Sequence, residues 1–394
     1  MGTRGLIMVN LAKDKINFNS ELEILHTQNA ITNIKDLFKI VKEFRASDLH
    51  IQVGSSPIIR IAGNLKKLDH PPISFEVMEK FIAEIIPPEK IQVLKNAGDL
   101  DYAYGLPGEG RMRINLFYQR GSISMACRLV NTIIPTFEEL HLPIPAFQKM
   151  ANLEQGLVIF AGITGSGKST SLASIIDHIN RMRDCHIITI EDPIEYLHKN
   201  KKSYVTQREI GIDVASYPTA LKYAMRQDPD VILIGEMRDP ETVSFGLSAA
   251  ETGHLVFTTL HASSASQSIG RMLDFFPSDQ QTQIRQSLQF NLKAIVCQKL
   301  ISSVTIESKQ VPAVEIMFSN TTVRELIRKG DDIKLINAIR QGKEDFMQDF
   351  NASLKHLVEK KYITEDIALS MSPYPDALKM NLRGIYLSDD RAIF

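Results

Sequence analysis

Residues 157–176 read LVIFAGITGSGKSTSLASII, and the reading of this stretch decides the class of the whole chain. Four apolar residues, Leu157 to Phe160, have the continuous pattern of a buried strand. A loop follows from Gly162 to Gly167, and Lys168-Ser169-Thr170 opens a segment with Leu172, Ile175 and Ile176 at helical spacing. Gly162, Gly167, Lys168 and Ser169 fill the phosphate-binding pattern G-x-x-x-x-G-K-[ST], in the strand–loop–helix setting that the pattern needs. Glycines let successive backbone N–H groups converge on phosphate oxygens, and the new helix offers unpaired N–H groups and its positive dipole end to the same anion. Lys168 is expected to reach the β- and γ-phosphates and the Ser169 hydroxyl to hold Mg²⁺. Thr164, Gly165, Ser166 and Thr170 complete the expected nucleotide-binding set. A glycine turn of purely structural use would require neither the Lys-Ser pair nor both flanking elements. The stretch predicts a nucleoside triphosphate site.

Outward from this loop the chain alternates strands and helices. Leu157–Phe160, His186–Ile190, Val231–Ile234 and Leu255–Thr259 are strand candidates with helical stretches between them. That order predicts a parallel sheet covered on both faces, with phosphate ligands at the carboxyl ends of the strands. Three segments past those ends carry chemistry. Ile188–Glu195 (ITIEDPIE) places carboxylates where Mg²⁺ or its waters can be held, although a solvated strand end would look the same. Asp228–Asp239 (DPDVILIGEMRD) runs four apolar residues into Gly235-Glu236, the place for a carboxylate that orients an attacking water. Glu236 is therefore the expected catalytic base, with Arg238 pairing either with Asp239 or with a neighbouring subunit. Ala249–Ala262 ends a strand at His261, on the side where the γ-phosphate is expected; His254 reads as an ordinary surface or core histidine.

The flanks are plainer. Residues 1–30 have no sustained period and read as an N-terminal extension. From Thr32, a helix (Ile34 to Phe44), alternating strands (Asp48–Val53, Ile58–Ile61, Leu65–Leu68), helices around Val77–Ile85 and Ile91–Leu94, and a three-stranded meander (Asp101–Tyr104, Met112–Phe117, Ile123–Leu129) predict a small α+β domain over 31–134. Prolines at 135, 143 and 145 suggest a stiff linker over 135–150. After Asp279 the pattern reads as mainly helical: Ile284, Leu288, Leu292, Ile295 and Val296 share one face, followed by Thr322–Arg328, Ile333–Ile339 and Phe350–Val358. The phosphate-loop domain is thus expected over 151–372, with a surface tail over 373–394.

Lys and Arg number 45 against 46 Asp and Glu, so overall charge gives no case for a polyanion partner. Cys127, Cys185 and Cys297 form no C-x-x-C pair, which speaks against a cysteine zinc site and fits a reducing compartment. No apolar run reaches membrane-spanning length, and Asn10, Lys13, Asp14 and Lys15 interrupt any signal core. A cytoplasmic location is expected, with membrane association only through a partner.

Taken together, ASDLH (46–50), GITGSGKST (162–170), ITIEDPIEY (188–196), QDPDVILIGEMRD (227–239) and ETGHLVFTTLHA (251–262) resemble the type IV pilus retraction ATPases (PilT/PilU-like) of the secretion-ATPase superfamily, over residues 32–372. The resemblance implies a homo-hexameric ring of subunits with a PAS-like N-terminal domain, a RecA-like P-loop ATPase domain and a helical C-terminal part. It implies ATP and Mg²⁺ as ligands, Glu195 as the acidic-motif carboxylate, Glu236 as the catalytic glutamate and His261 as the sensor. It also brings N-terminal-domain arginines onto the nucleotide, matched here by Arg113 and Arg128, with Arg238 and Arg271 as further inter-subunit candidates. The implied partners are an inner-membrane pilus platform protein and a paralogous retraction ATPase, with no direct nucleic-acid contact. Thr322–Lys329 (TVRELIRK) keeps the arginines of the family's retraction helix but changes their flanks, which leans toward the accessory PilU-like branch or an outlying group.

Competing readings were an assembly or type II secretion ATPase, a nucleic-acid motor on the same core, and a catalytically silent ring subunit. The assembly ATPases usually carry an extra N-terminal domain and a tetracysteine motif, and neither is visible here. A nucleic-acid motor calls for a basic, aromatic-lined channel, at odds with neutral charge and no tryptophan. A silent subunit would not need Lys168, Ser169, Glu195, Glu236 and His261 together.

Overall fold

Alternating apolar and polar residues build one sheet of this protein, and continuous apolar runs build the other. The computed structural model describes residues 23–26, 31–106, 110–305 and 309–385. The chain divides into two units, Met1–Leu129 and Val130–Phe394.

In the first unit the elements are β1 (Ile24–Leu25), α1 (Ile34–Glu43), β2 (Asp48–Gln52), β3 (Ile58–Ile61), β4 (Asn64–Leu68), α2 (Phe75–Ile85), α3 (Pro88–Ala97), β5 (Asp99–Leu106), β6 (Gly110–Gln119) and β7 (Ser122–Leu129). The strands form one sheet in the order β1-β4-β3-β2-β7-β6-β5, antiparallel except for the β1–β4 pair. Met112, Ile114 and Leu116 of β6 are buried while the residues between them are not, the period-2 signature of a sheet with one covered face. Ile34, Leu37, Phe38 and Val41 of α1 join that core. Asn33 caps α1 by accepting the Asp36 N–H, and Ser74 caps α2 by accepting the Val77 N–H. Of the expected extension, residues 1–22 and 27–30 lie outside the described residues, while Ile24 and Leu25 pair in parallel with Lys67 and Leu68.

In the second unit the elements are α4 (Ile144–Ala151), β8 (Gly156–Ala161), α5 (Lys168–Met182), β9 (His186–Glu191), β10 (Tyr204–Glu209), α6 (Tyr217–Ala224), β11 (Val231–Ile234), α7 (Pro240–Glu251), β12 (Leu255–Leu260), α8 (Ala265–Asp274), α9 (Ser278–Asn291), β13 (Leu292–Ser302), β14 (Gln310–Phe318), α10 (Thr321–Lys329), α11 (Leu335–Gln341), α12 (Phe350–Glu359), α13 (Glu365–Met371) and α14 (Pro375–Leu382). The sheet order is β10-β9-β11-β12-β8-β13-β14, parallel throughout except for the antiparallel β13–β14 pair. Every residue of β8, β11 and β12 is buried, as strands covered on both faces require.

Three expectations are corrected here. The helical face expected to run from Ile284 to Val296 breaks after α9, and Leu292–Ser302 is a strand beside β8. Ala294, Ile295, Val296 and Cys297 are all fully buried, and a short, uniformly buried run has no period to separate strand from helix. Residues 135–150, expected as a stiff linker, are built into the second unit: Phe137, Leu142, Phe147 and Met150 belong to its core, and Ile144–Ala151 is a helix. The expected surface tail contains α14, whose Leu378 is fully buried; residues 386–394 lie outside the described residues. No helix among the described residues is long and apolar enough to cross a membrane.

Candidate functional site

The parallel strands deliver their following loops to one edge of the second sheet, and a cleft of about 270 Å³ opens there. The phosphate loop leaves β8, and α5 begins at Lys168 directly after Gly167, whose left-handed φ of 87° only glycine adopts at low cost. Thr164, Gly165, Lys168 and Ser169 line the cleft. Lys168 is largely buried, and its Nζ donates to the Gly162 and Ile163 carbonyls at 2.7 and 3.0 Å. Burial draws its ammonium below the usual lysine range, opposed by the charges of Glu236 and Glu195. The Ser169 hydroxyl donates to Glu195 Oε1 at 3.1 Å, and Thr170 Oγ1 lies 3.0 Å from the Tyr196 hydroxyl.

Glu236 sits across the cleft from this loop. Its Oε2 accepts from Arg238 Nε at 2.8 Å, and its Oε1 lies 3.2 Å from His261 Nε2. Backbone contacts fix it: Gly235 N–H donates to Ile190 O, Met237 N–H donates to Thr259 O, and Thr259 Oγ1 donates to Gly235 O at 2.6 Å. Arg238 thus grips Glu236 itself, while Asp239 caps α7 by accepting the Thr242 N–H. The hydrogen bond to Glu236 raises the Arg238 guanidinium further above its already high range. Glu195, Glu236, Arg238 and His261 all line the cleft; Arg271, exposed in the last turn of α8, does not. Gly162 and Ser166 are not among the residues that line the cleft, and the Ser166 hydroxyl is buried and without a hydrogen-bond partner.

Glu191, at the end of β9, is a cleft residue that sequence reasoning quoted but did not select. Burial pushes its carboxyl up to about 7, against hydrogen bonds from Thr189 and Gln207. Tyr196, Tyr217 and Thr259 also line the cleft and were missed. Tyr196 and Tyr217 lie in segments that follow strands, and Thr259 is inside β12 one residue from its end, so none carried a motif of its own.

Arg113 and Arg128 belong to the first unit. They face each other across β6 and β7, and Arg128 in turn faces Asp48 of β2, which faces Arg60 of β3. Arg128 Nε donates to Asp48 Oδ1 at 2.7 Å. Burial pushes the Asp48 carboxyl up, but hydrogen bonds from Arg128 and Ser47 outweigh it and hold it below the usual carboxylate range.

A sequence signature described as "Type II/IV secretion system protein" matches residues 136–355. Over 344 residues the chain is 37% identical to the "Type IV pilus retractation ATPase PilT" of Pseudomonas aeruginosa, spanning 87% of this chain and 99% of that protein. The chain belongs to the secretion-ATPase family of PilT and PilU. The "Type IV pilus ATPase PilU" of the same bacterium is 38% identical over 347 residues, covering 88% of this chain and 90% of that one. The fold superposes on the crystal structure of the pilus retraction motor PilT with bound ADP at a TM-score of 0.81 and 42% identity, over 89% of this chain and 99% of that chain. The Legionella pneumophila ATPase DotB follows at a TM-score of 0.69 and 27% identity, over 88% and 98%. A RecA-like P-loop domain preceded by a small α+β domain is therefore the architecture of this family member, as its motifs implied.

Proposed function

We propose that this PilT/PilU family member is a homo-hexameric ATPase motor that drives type IV pilus retraction and twitching motility. The observation that carries the proposal is the meeting of Lys168 and Ser169 with Glu195, Glu236 and His261 in one cleft, from four segments far apart in sequence. Residues 162–170 hold the phosphates, with Lys168 leaving the Gly162 and Ile163 carbonyls for the β- and γ-phosphates. Glu236 orients the attacking water and takes its proton, held in aim by Arg238 and His261. Ser169 and Glu195, already 3.1 Å apart, fit a Mg²⁺ site, with Glu195 acting directly or through water. Bound there, Mg²⁺ would offset phosphate charge. Arg113 and Arg128 add positive charge against the γ-phosphate and Arg271 serves between subunits, while Arg238 acts within its own subunit on Glu236.

Output passes to an inner-membrane platform protein of the pilus machine, which places the motor at the cytoplasmic face of that membrane. An accessory role beside a paralogous ATPase is the second reading, favoured by identity to PilU as high as that to PilT. Deletion of the gene with counts of surface pili tests the direction. Over-piliated, immobile cells are the expected result. Bald cells would assign assembly instead, and normal piliation with normal motility would assign the accessory role.

A further inference from the structure

The two motif glycines of the phosphate loop are pressed against one residue that lies more than a hundred positions downstream. In register, β13 runs beside β8 as far as Cys297 opposite Ala161, so Gln298 arrives next to the start of the loop. A Cβ on Gly162 would sit 2.6 Å from the Gln298 carbonyl oxygen, and a Cβ on Gly167 would sit 2.6 Å from its Nε2. Real Cβ atoms do not approach a backbone oxygen that closely, so this neighbour favours glycine at 162, while at 167 the left-handed φ does so and the Gln298 amide packs into the space that glycine leaves. The Gln298 side chain also accepts a hydrogen bond at 2.9 Å from the Ser171 hydroxyl, in the first turn of α5. Gln298 and Ser171 are 3% and 1% exposed, so the bond is shielded from water.

We propose that Gln298 is a positioning residue for nucleotide binding: its side-chain amide against Gly167 and its bond to Ser171 hold the end of the phosphate loop and the first turn of α5 in place, beside its backbone carbonyl against Gly162. Gln298 lies behind the loop and acts through it. In this same arrangement the loop carbonyls at 162 and 163 accept from Lys168, which must leave them for phosphate while the loop backbone stays in place. A loop that loses its floor spends less time ready for phosphate, and apparent affinity falls by the fraction of time it is ready. Once phosphate is seated, the ligand itself organises the loop, so turnover of bound ATP changes little. A residue that only filled the core would instead lower stability without separating binding from turnover.

This inference rests on the proposed triphosphate site. The test measures KM for ATP, kcat, ADP affinity and the thermal unfolding midpoint of the full chain, for Gln298→Met, Ser171→Ala and the double variant. Gln298→Met is expected to raise KM and the ADP dissociation constant about tenfold, with kcat within about threefold of wild type. Ser171→Ala, the milder change, shifts KM the same way, and the double variant is no worse than Gln298→Met alone because both remove one contact. KM unchanged alongside a lowered midpoint, kcat falling with KM fixed, or fully additive effects would each overturn the proposal. Wild-type protein that binds neither ATP nor ADP would sink the site reading itself, and this inference with it.

Discussion

Each unit of the chain folds around a seven-stranded sheet, and the two sheets use their polar residues in opposite ways. In the mainly antiparallel sheet, register alone lines up Arg113, Arg128, Asp48 and Arg60 as a row on one face, each residue directly opposite the next. In the mainly parallel sheet, the central strands β8 and β11 are buried along their whole length and carry no polar side chain. Chemistry is displaced to the loops at one edge, where Lys168, Glu195, Glu236 and His261 meet. An antiparallel sheet displays charge along its surface; a parallel one collects it at a rim. The first arrangement suits broad contact, and the second suits a reacting centre.

The sharpest break in that contrast would come at the rim. Glu236→Gln is expected to keep ADP affinity within about twofold while kcat falls by about 10² to 10⁴, measured by steady-state phosphate release. Retained turnover would remove Glu236 from the base role. Next in size is Arg113→Ala, expected to slow hydrolysis about tenfold or more with ATP affinity little changed. An unchanged rate would confine the reaction to the second unit and leave the arginine row with no part in it.

A smaller effect concerns stability. Glu315 of β14 is buried, accepts the Ala265 N–H at the start of α8, and has its carboxyl pushed up to about 7 by burial. The folded state therefore holds a proton that the unfolded chain releases near pH 4.5. Stability contributed by the protonated form is complete at low pH and is lost as pH rises toward 7. Glu315→Gln, which keeps the acceptor, is expected to remove a loss of up to ~3 kcal/mol between about pH 5 and 8, read from urea midpoints at the two pH values. An equal pH dependence in the variant would refute this. The smallest effect belongs to the row: its Arg128 partner is mostly exposed, so Asp48→Asn should cost about 1 kcal/mol or less. Because the Asp48 carboxyl is held low, that difference is present at neutral pH and fades as pH falls through the acid range. A difference that persisted at low pH would show that packing, not charge, is what Asp48 contributes.

Much of this was legible in the chain. The strand at Leu157, the loop glycines, Lys168 and Ser169 are neighbours in sequence, so their chemistry can be read without knowing any tertiary contact. Glu236 and His261 were readable too, because each ends an apolar run and strand ends in a parallel sheet share one edge. What escaped was non-local. Residues 294–297 are buried throughout and carry no period, so the neighbouring helix lent them a false one. Gln298 looks like a stray polar residue at the end of that run; only the β8–β13 pairing makes it the neighbour of Gly162 and Gly167. The partner of Arg238 escaped as well: Asp239 or a neighbouring subunit was expected, but Asp239 caps α7 and the guanidinium bonds Glu236 instead.

Local patterns by themselves determined that a triphosphate loop opens α5, that a parallel sheet surrounds it, and which carboxylates stand at strand ends. Only the folded chain decided which distant side chains support that loop. Hydrogen bonds and close packing depend on positions in space, and residues 136 places apart, such as Gly162 and Gln298, share no signal along the chain until a sheet sets them side by side.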